Sequence, residues 1–186
     1  MIRQFFSEYD CQSPYFLDIA GEFINYLSSS YKMKKDDPAF MLELAHYEWV
    51  ELDISIANED PNERKLQQTA LTKSPLFLSS VARNLSYQYP VQTISDQVRP
   101  KEPSTVPNYF VVYRDEEDEV QFLATNAMTA LLLSIIESVE GITFDNLCQQ
   151  VIMQAPQFNE EQITQGALVT LNALIERGVI VTKNQD

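Results

Sequence analysis

The chain has 186 residues, 45% of them hydrophobic and 22% charged. That is the make-up of a soluble globular protein of one large or two small domains, not of a disordered, collagenous or low-complexity chain. Thirteen basic residues against 27 acidic ones leave a net charge of −14, which sets electrostatics against nucleic-acid phosphate and anionic membranes. Protein or peptide partners, basic ones among them, are favoured; the plainer reading is that the charge only keeps the protein soluble.

Chain size and cysteine usage narrow the class further. A fold of this length buries about 70% of the surface its unfolded chain exposes and needs no disulfide or metal staple. Cys11 and Cys148 are the only cysteines, one near each end, which suits a reducing compartment. No N-terminal stretch resembles a signal peptide. The longest apolar run, Ala130–Ile136 with one serine inside it, falls far short of a membrane span. A cytoplasmic protein without membrane contact is expected.

The first 57 residues read as helices. Ile2, Phe5 and Phe6 look like the end of one. Ser13 as N-cap and Pro14 at the first helical position start the next. Its stripe is Phe16, Ile19, Ala20, Phe23, Ile24 and Leu27, and Ser28-Ser29-Ser30 ends it. Asp37-Pro38 repeats the start signal for a helix with Leu42, Ala45, Trp49, Leu52 and Ile56 on one stripe. Trp49 is expected to be largely buried there. Residues 58–107 read as a loop, a candidate edge strand and a proline-rich linker. Asn58–Gln68 is polar, Leu76–Leu85 is ambiguous, Tyr87–Ile94 surrounds Pro90, and Pro100, Pro103 and Pro107 follow.

From Asn108 the pattern changes. Tyr109–Tyr113 and Val120–Ala124 flank the acidic tip Asp115–Asp118 and predict a β-hairpin. Three helices follow. Met128, Leu131, Leu132, Ile135 and Ile136 mark the first, closed by Gly141. Thr143 caps the second, with Phe144, Leu147, Cys148, Val151 and Ile152 on its apolar face. Asn159 and Gln162 form a cap pair for the third, whose stripe is Ile163, Ala167, Leu171, Leu174 and Ile175 and which Gly178 stops. Val179–Val181 is a short last strand. The predicted class is α+β, mostly α: an N-terminal helical region over residues 1–57 and a winged helix-turn-helix with a small antiparallel sheet over 108–186.

Little of this can carry catalysis. His46 is the only histidine, and beside Leu42 and Trp49 it reads as a packing residue. One histidine and two distant cysteines are too few soft ligands for a zinc site. Four glycines leave no glycine-rich phosphate loop. Glu48 and Glu51 share a helix face and read as solvated. Asp115–Glu119 lacks the alternating oxygen ligands and central glycine of a calcium loop. No enzyme, cofactor or metal is expected. A DNA reader would use the third helix, Glu160–Arg177. That helix carries Glu160, Glu161 and Glu176 against Arg177 alone, and residues 108–186 sum to −9, with 3 basic and 12 acidic residues.

Two groups of residues carry a family resemblance. Phe122–Leu132, Gly141-Ile142-Thr143 and Leu171–Ile180 resemble the peptide-recognition element of ribosomal-peptide maturation systems, a small winged helix that holds a precursor's leader. Gln12–Phe16, Leu44–Trp49, Tyr89-Pro90-Val91 with Ile94, and Val112-Tyr113-Arg114 resemble the HvfC-type partner proteins, which are related to the methanobactin maturation partner. Gln92 stands where that family usually has a histidine, and the family's further helical region before this point is expected to be absent, either cut away or lost. The label "DNA-binding" belongs to that region and is not carried over. The resemblance implies a non-catalytic partner. It would bind the precursor leader peptide and dock it to a barrel-shaped multinuclear iron oxidase, which alters cysteines of the precursor. The alternative function is a winged-helix DNA-binding transcription regulator.

The expected peptide site is the outer edge of strand Glu119–Thr125, to which an extended leader adds as a strand. Alternation puts Val120, Phe122 and Ala124 on one face, expected toward the core, and Glu119, Gln121 and Leu123 on the other. Ile163, Ala167 and Leu171 are expected to line a groove beside the strand. Cover of this edge by Tyr87–Ile94 or Val179–Val181 would close the site. The Asp37 helix and the proline-rich strap are the expected docking surface for the oxidase.

Overall fold

The computed structural model describes residues 2–9, 11, 13 and 15–184. They form an α+β protein with two small antiparallel sheets. The elements are α1 (Ile2–Glu8), α2 (Phe16–Ser29), α3 (Met41–Ile56), β1 (Glu63–Lys65), β2 (Phe77–Leu78), β3 (Ala82–Tyr87), β4 (Asn108–Arg114), β5 (Val120–Thr125), α4 (Ala127–Ser138), α5 (Phe144–Gln154), α6 (Glu160–Glu176) and β6 (Ile180–Lys183). Two compact units share them. One holds residues 1–53 and 87–108, the other 54–86 and 109–186.

In the first unit, α1 and α2 meet over an aromatic cluster. Phe5, Tyr26 and Leu27 are buried, and Tyr9, Ile19, Phe23 and Tyr31 pack on them. The start of α2 differs from the sequence expectation. Tyr15, not Ser13, holds the N-cap position, and Pro14 lies outside the described residues. The Ser13 hydroxyl is engaged locally: it accepts from the Tyr15 N–H at 3.1 Å and donates to Asp18 at 2.5 Å.

The start of α3 also shifts, from Asp37-Pro38 to Met41. The Asp37 carboxylate accepts the Lys34 N–H and the Tyr31 hydroxyl, both at 2.7 Å, and so closes a preceding turn instead of capping the helix. These bonds hold the carboxyl below its ordinary range. On α3 the fully buried residues are Val50 and Ile54, which the expected stripe omits, while Ile56 is exposed. Trp49 is only half-buried. Its indole lies 3.5 Å from the point a Cβ on Gly21 would occupy, an ordinary van der Waals distance.

The second unit has one large core. Leu132, Leu133 and Ile136 of α4, Phe144, Leu147 and Val151 of α5, and Leu171, Leu174 and Ile175 of α6 are all buried in it. The helix signals in the sequence hold here. Asn159 accepts the Gln162 N–H while the Gln162 side chain accepts the Asn159 N–H, a complete capping box for α6. Thr143 caps α5. Gly141 and Gly178 take positive φ of 68° and 72° where α4 and α6 end.

The segment 58–107 is more structured than loop and linker. β1 and β2 flank β6 in the sheet order β1-β6-β2, with Arg64 opposite Thr182 and Phe77 opposite Val181. Neither strand has an apolar alternation long enough to show in the sequence; pairing with β6 defines them. The expected edge strand at Tyr87–Ile94 is shifted as well. The strand is Ala82–Tyr87, and Val91–Thr93 form a 3-10 turn. The second sheet has the order β3-β4-β5.

Candidate functional site

β5 is the last strand of its sheet. It pairs antiparallel with β4 from Arg114 opposite Val120 to Tyr109 opposite Thr125, and among the described residues no strand lies beyond it. β6 belongs to the other sheet, and β3 pairs on the far side of β4. Neither β3 nor β6 is a sheet neighbour of β5.

The ladder decides which backbone groups point outward. The Asp115 N–H donates to the Glu119 carbonyl at 3.0 Å, whereas the Arg114 N–H turns away and donates to Val81 at 3.0 Å. Hydrogen-bonded and non-hydrogen-bonded pairs alternate along an antiparallel ladder. Arg114–Val120 and Phe110–Ala124 are therefore non-hydrogen-bonded pairs. Val120 and Ala124 turn their N–H and C=O away from β4, and Ala124 is exposed.

Glu119, placed in the strand from sequence, belongs to the turn. Its carbonyl takes the Asp115 N–H, and its own N–H donates to Asp115 Oδ1 at 2.9 Å. The Asp115 carboxylate also accepts from the Glu117 N–H and the Gln121 side chain. The backbone bond from Glu119 is the largest cause of its lowered pKa. Asp118 closes the turn at a φ of 63°.

The faces of β5 are the reverse of the expectation. Residues directly opposite in the ladder share a face. Leu123 lies opposite Val111 and packs on the α4–α6 core with it. Phe122 lies opposite Val112, on the other face. The expectation failed because β4 is buried on both faces: Phe110 and Val112 are as inaccessible as Val111. The larger apolar set of β5 therefore does not identify the side of the helical core.

An apolar cavity of about 280 Å³ opens between α4, α5 and α6. Met128 and Leu132 of α4, Val151 of α5, Phe158, and Ile163, Gly166 and Ala167 of α6 are among its lining residues. Two of the three expected groove residues, Ile163 and Ala167, are in it. The third, Leu171, is fully buried in the core. Met128 stands three positions after Thr125, so the cavity adjoins the end of β5 through the first turn of α4. Asn126 fixes that turn by accepting the Met128 and Thr129 N–H groups, both at 3.0 Å. The sequence reading missed Gly166, whose only signal is a solitary glycine inside a helical pattern; the contribution of Met128 and Phe158 depends on the fold.

The first unit brings together two sequence pieces that are far apart in the chain. His46 Nδ1 lies 2.9 Å from the Tyr87 hydroxyl. The Glu43 carboxylate accepts the Gln88 N–H at 3.0 Å and the Tyr89 N–H at 2.8 Å, and the Phe40 and Tyr89 rings are 6.2 Å apart. Burial lowers the His46 pKa, with partial opposition from Asp53, and raises that of Tyr87. Gln92 is exposed in the turn that follows. Burial also raises the Cys148 thiol. Among the described residues no three His, Cys, Asp or Glu side chains gather as a metal site, and no helix is long and apolar enough to cross a membrane.

The profile of the HvfC C-terminal domain matches residues 79–175, more than half of the chain. The chain belongs to the HvfC family. No curated protein sequence matches it. The HvfC match runs from just before β3 into the last turn of α6, and so contains the whole β5 edge and every residue of the cavity. It also contains Tyr87, Gln88 and Tyr89; His46 and Glu43, which bond to them, precede it.

Proposed function

We propose that this HvfC-family chain is a non-catalytic partner in the maturation of a ribosomally made peptide. It holds the precursor's leader on the β5 edge and presents the precursor to a multinuclear iron oxidase. On this reading the three helices α4–α6, with β1-β6-β2 as the wing, serve as a winged helix that binds peptide. Val120–Ala124, Ile163 and Ala167 form the peptide site, with Glu119 and Leu171 supporting it from the turn and the core. α3 and the strap at 95–107 serve as the docking surface for the oxidase. The observation that carries the reading is the terminal position of β5, with the N–H and C=O groups of Val120 and Ala124 facing outward.

Magnitudes require more than the strand edge. Each main-chain hydrogen bond contributes about 0.5–1.5 kcal/mol net, whereas micromolar affinity needs about 8 kcal/mol. Apolar leader side chains must supply the remainder. The DNA-regulator reading gains no support. α6 has no Arg or Lys in its first turns, and the Arg177 guanidinium donates back to the Ala173 carbonyl at 2.7 Å.

Ala124→Pro tests the edge. It removes an outward N–H while leaving the bonds to β4, a position proline tolerates on an edge strand. Co-expressed with precursor and oxidase, the wild-type chain is expected to co-purify with both, and Ala124→Pro with the oxidase alone. Retention of the precursor by Ala124→Pro contradicts the β5 site. Site-specific, steeply salt-dependent operator binding by the wild-type chain contradicts the function.

A further inference from the structure

Four aromatic rings of the first unit follow one another in contact. Trp49 and His46 have centroids 5.5 Å apart, His46 and Tyr87 5.8 Å, and Tyr87 and Tyr47 5.9 Å, all within the usual range for paired rings. Trp49 is the only tryptophan of the chain. It is half-buried, as are His46 and Tyr47, whereas Tyr87 is 4% exposed. The row runs from an indole that solvent reaches to a phenol that solvent does not.

The bond at the inner end of the row sets its chemistry. The Tyr87 hydroxyl lies 2.9 Å from His46 Nδ1. A neutral phenol gives up an electron readily only when its proton leaves with it, because the phenol radical cation is a very strong acid. Burial raises the Tyr87 pKa, so the proton does not leave alone. Burial, partly opposed by Asp53, lowers that of His46. The imidazole is therefore neutral at neutral pH, a base within hydrogen-bond reach of the phenol.

We propose that Trp49, His46 and Tyr87 form a redox relay: a one-electron oxidant at the surface oxidises the Trp49 indole, and Tyr87 reduces the resulting radical while passing its proton to His46. The indole loses one electron to the oxidant and its N–H proton to water. Tyr87 then supplies one electron to the indolyl radical, which regains a proton from water. The O–H bond of Tyr87 breaks, and its proton forms an N–H bond at Nδ1 of the Nε2–H tautomer. The products are an intact indole, a Tyr87 phenoxyl radical and a His46 imidazolium. The relay thus moves a radical from a ring open to solvent to one shielded from it. Oxygen-activated iron belongs to the class of oxidant required, and the oxidase proposed above is one source of it. The relay does not depend on the β5 peptide site.

Pulse radiolysis of the full chain in azide solution supplies the test, because azide radicals oxidise tryptophan in preference to tyrosine and Trp49 is the single tryptophan. In the wild type the indolyl absorption is expected to decay in a first-order phase, independent of protein concentration, as phenoxyl absorption rises. Tyr87→Phe, which keeps the ring, is expected to lose this phase. His46→Asn is expected to slow it by roughly 100-fold, the lower end of what a positioned base contributes to proton transfer. Tyr47→Phe is expected to leave it unchanged. Cooperative thermal melting confirms that each variant folds. No such phase in the wild type, or the wild-type rate in Tyr87→Phe, overturns the inference. The wild-type rate in His46→Asn also overturns it and leaves the bond between His46 and Tyr87 a structural tie alone. Loss of the phase in Tyr47→Phe places the radical on Tyr47 and again overturns it.

Discussion

The Nδ1 of His46 lies 2.9 Å from the Tyr87 hydroxyl, joining α3 to the end of β3 across 41 positions of sequence. The histidine is half-buried between Trp49 and Tyr87, with ring centroids 5.5 and 5.8 Å away. The imidazole tautomer sets which of the two groups donates, and burial holds the histidine pKa below the ordinary 6.5.

A pH dependence of stability follows. Below 6.5 the unfolded chain binds a proton that the folded chain resists, so stability rises with pH through this window. The contribution of His46 is complete above about pH 6.5 and is lost as pH falls through its depressed folded value. Denaturant unfolding between pH 5 and 8 is expected to show this decline for the wild type and a smaller one for His46→Asn, whose side-chain amide does not titrate in this range. Equal declines in the two proteins would exclude His46 as the source.

Trp49 is half-buried, so truncation should cost less than the 3–5 kcal/mol typical of a fully buried tryptophan. We expect about 2 kcal/mol for Trp49→Ala by chemical denaturation. Gly21→Ala places its methyl at ordinary contact with the indole and gains helix propensity worth up to about 1 kcal/mol. It should leave the midpoint unchanged or raise it. A large loss on Gly21→Ala would mean that the ring sits closer than 3.5 Å.

Gly141 and Gly178 both adopt left-handed φ, yet they differ in surroundings. A Cβ on Gly141 would stand 3.2 Å from the Phe77 ring, while one on Gly178 meets nothing. Gly178→Ala should cost about 1 kcal/mol for the backbone conformation alone. Gly141→Ala should cost more, because Phe77 has to move. The reverse order in thermal unfolding would contradict the placement of β2 against this turn.

How much could be read from the sequence depended on where the ordering forces act. The helices α4–α6 carry their own start and stop chemistry in Asn159 and Gln162, Thr143, Gly141 and Gly178, so their extents were legible. The β4–β5 hairpin was legible from its alternation and acidic tip. β1 and β2 were not, because three- and two-residue strands exist only through pairing with β6. The start of α3 was misplaced because Asp37 bonds to Lys34 and Tyr31, a choice made by the fold of the preceding turn. At the candidate site, the strand was legible, and two of the three residues expected beside it line the cavity between α4, α5 and α6 instead. The outward direction of Val120 and Ala124 depends on the Asp115–Glu119 turn, and the cavity depends on how α4 and α5 meet α6.

The account stands or falls on whether an extended peptide adds to β5, and amide protection measures this directly. Hydrogen exchange followed by NMR on the full chain, with and without excess synthetic precursor leader, resolves the individual N–H groups of the strand. The account predicts that the leader slows exchange at Val120 and Ala124 and shifts the resonances of Ile163, Gly166 and Ala167. Unchanged exchange across Val120–Thr125, with leader-induced shifts confined to residues before Pro107, would contradict it.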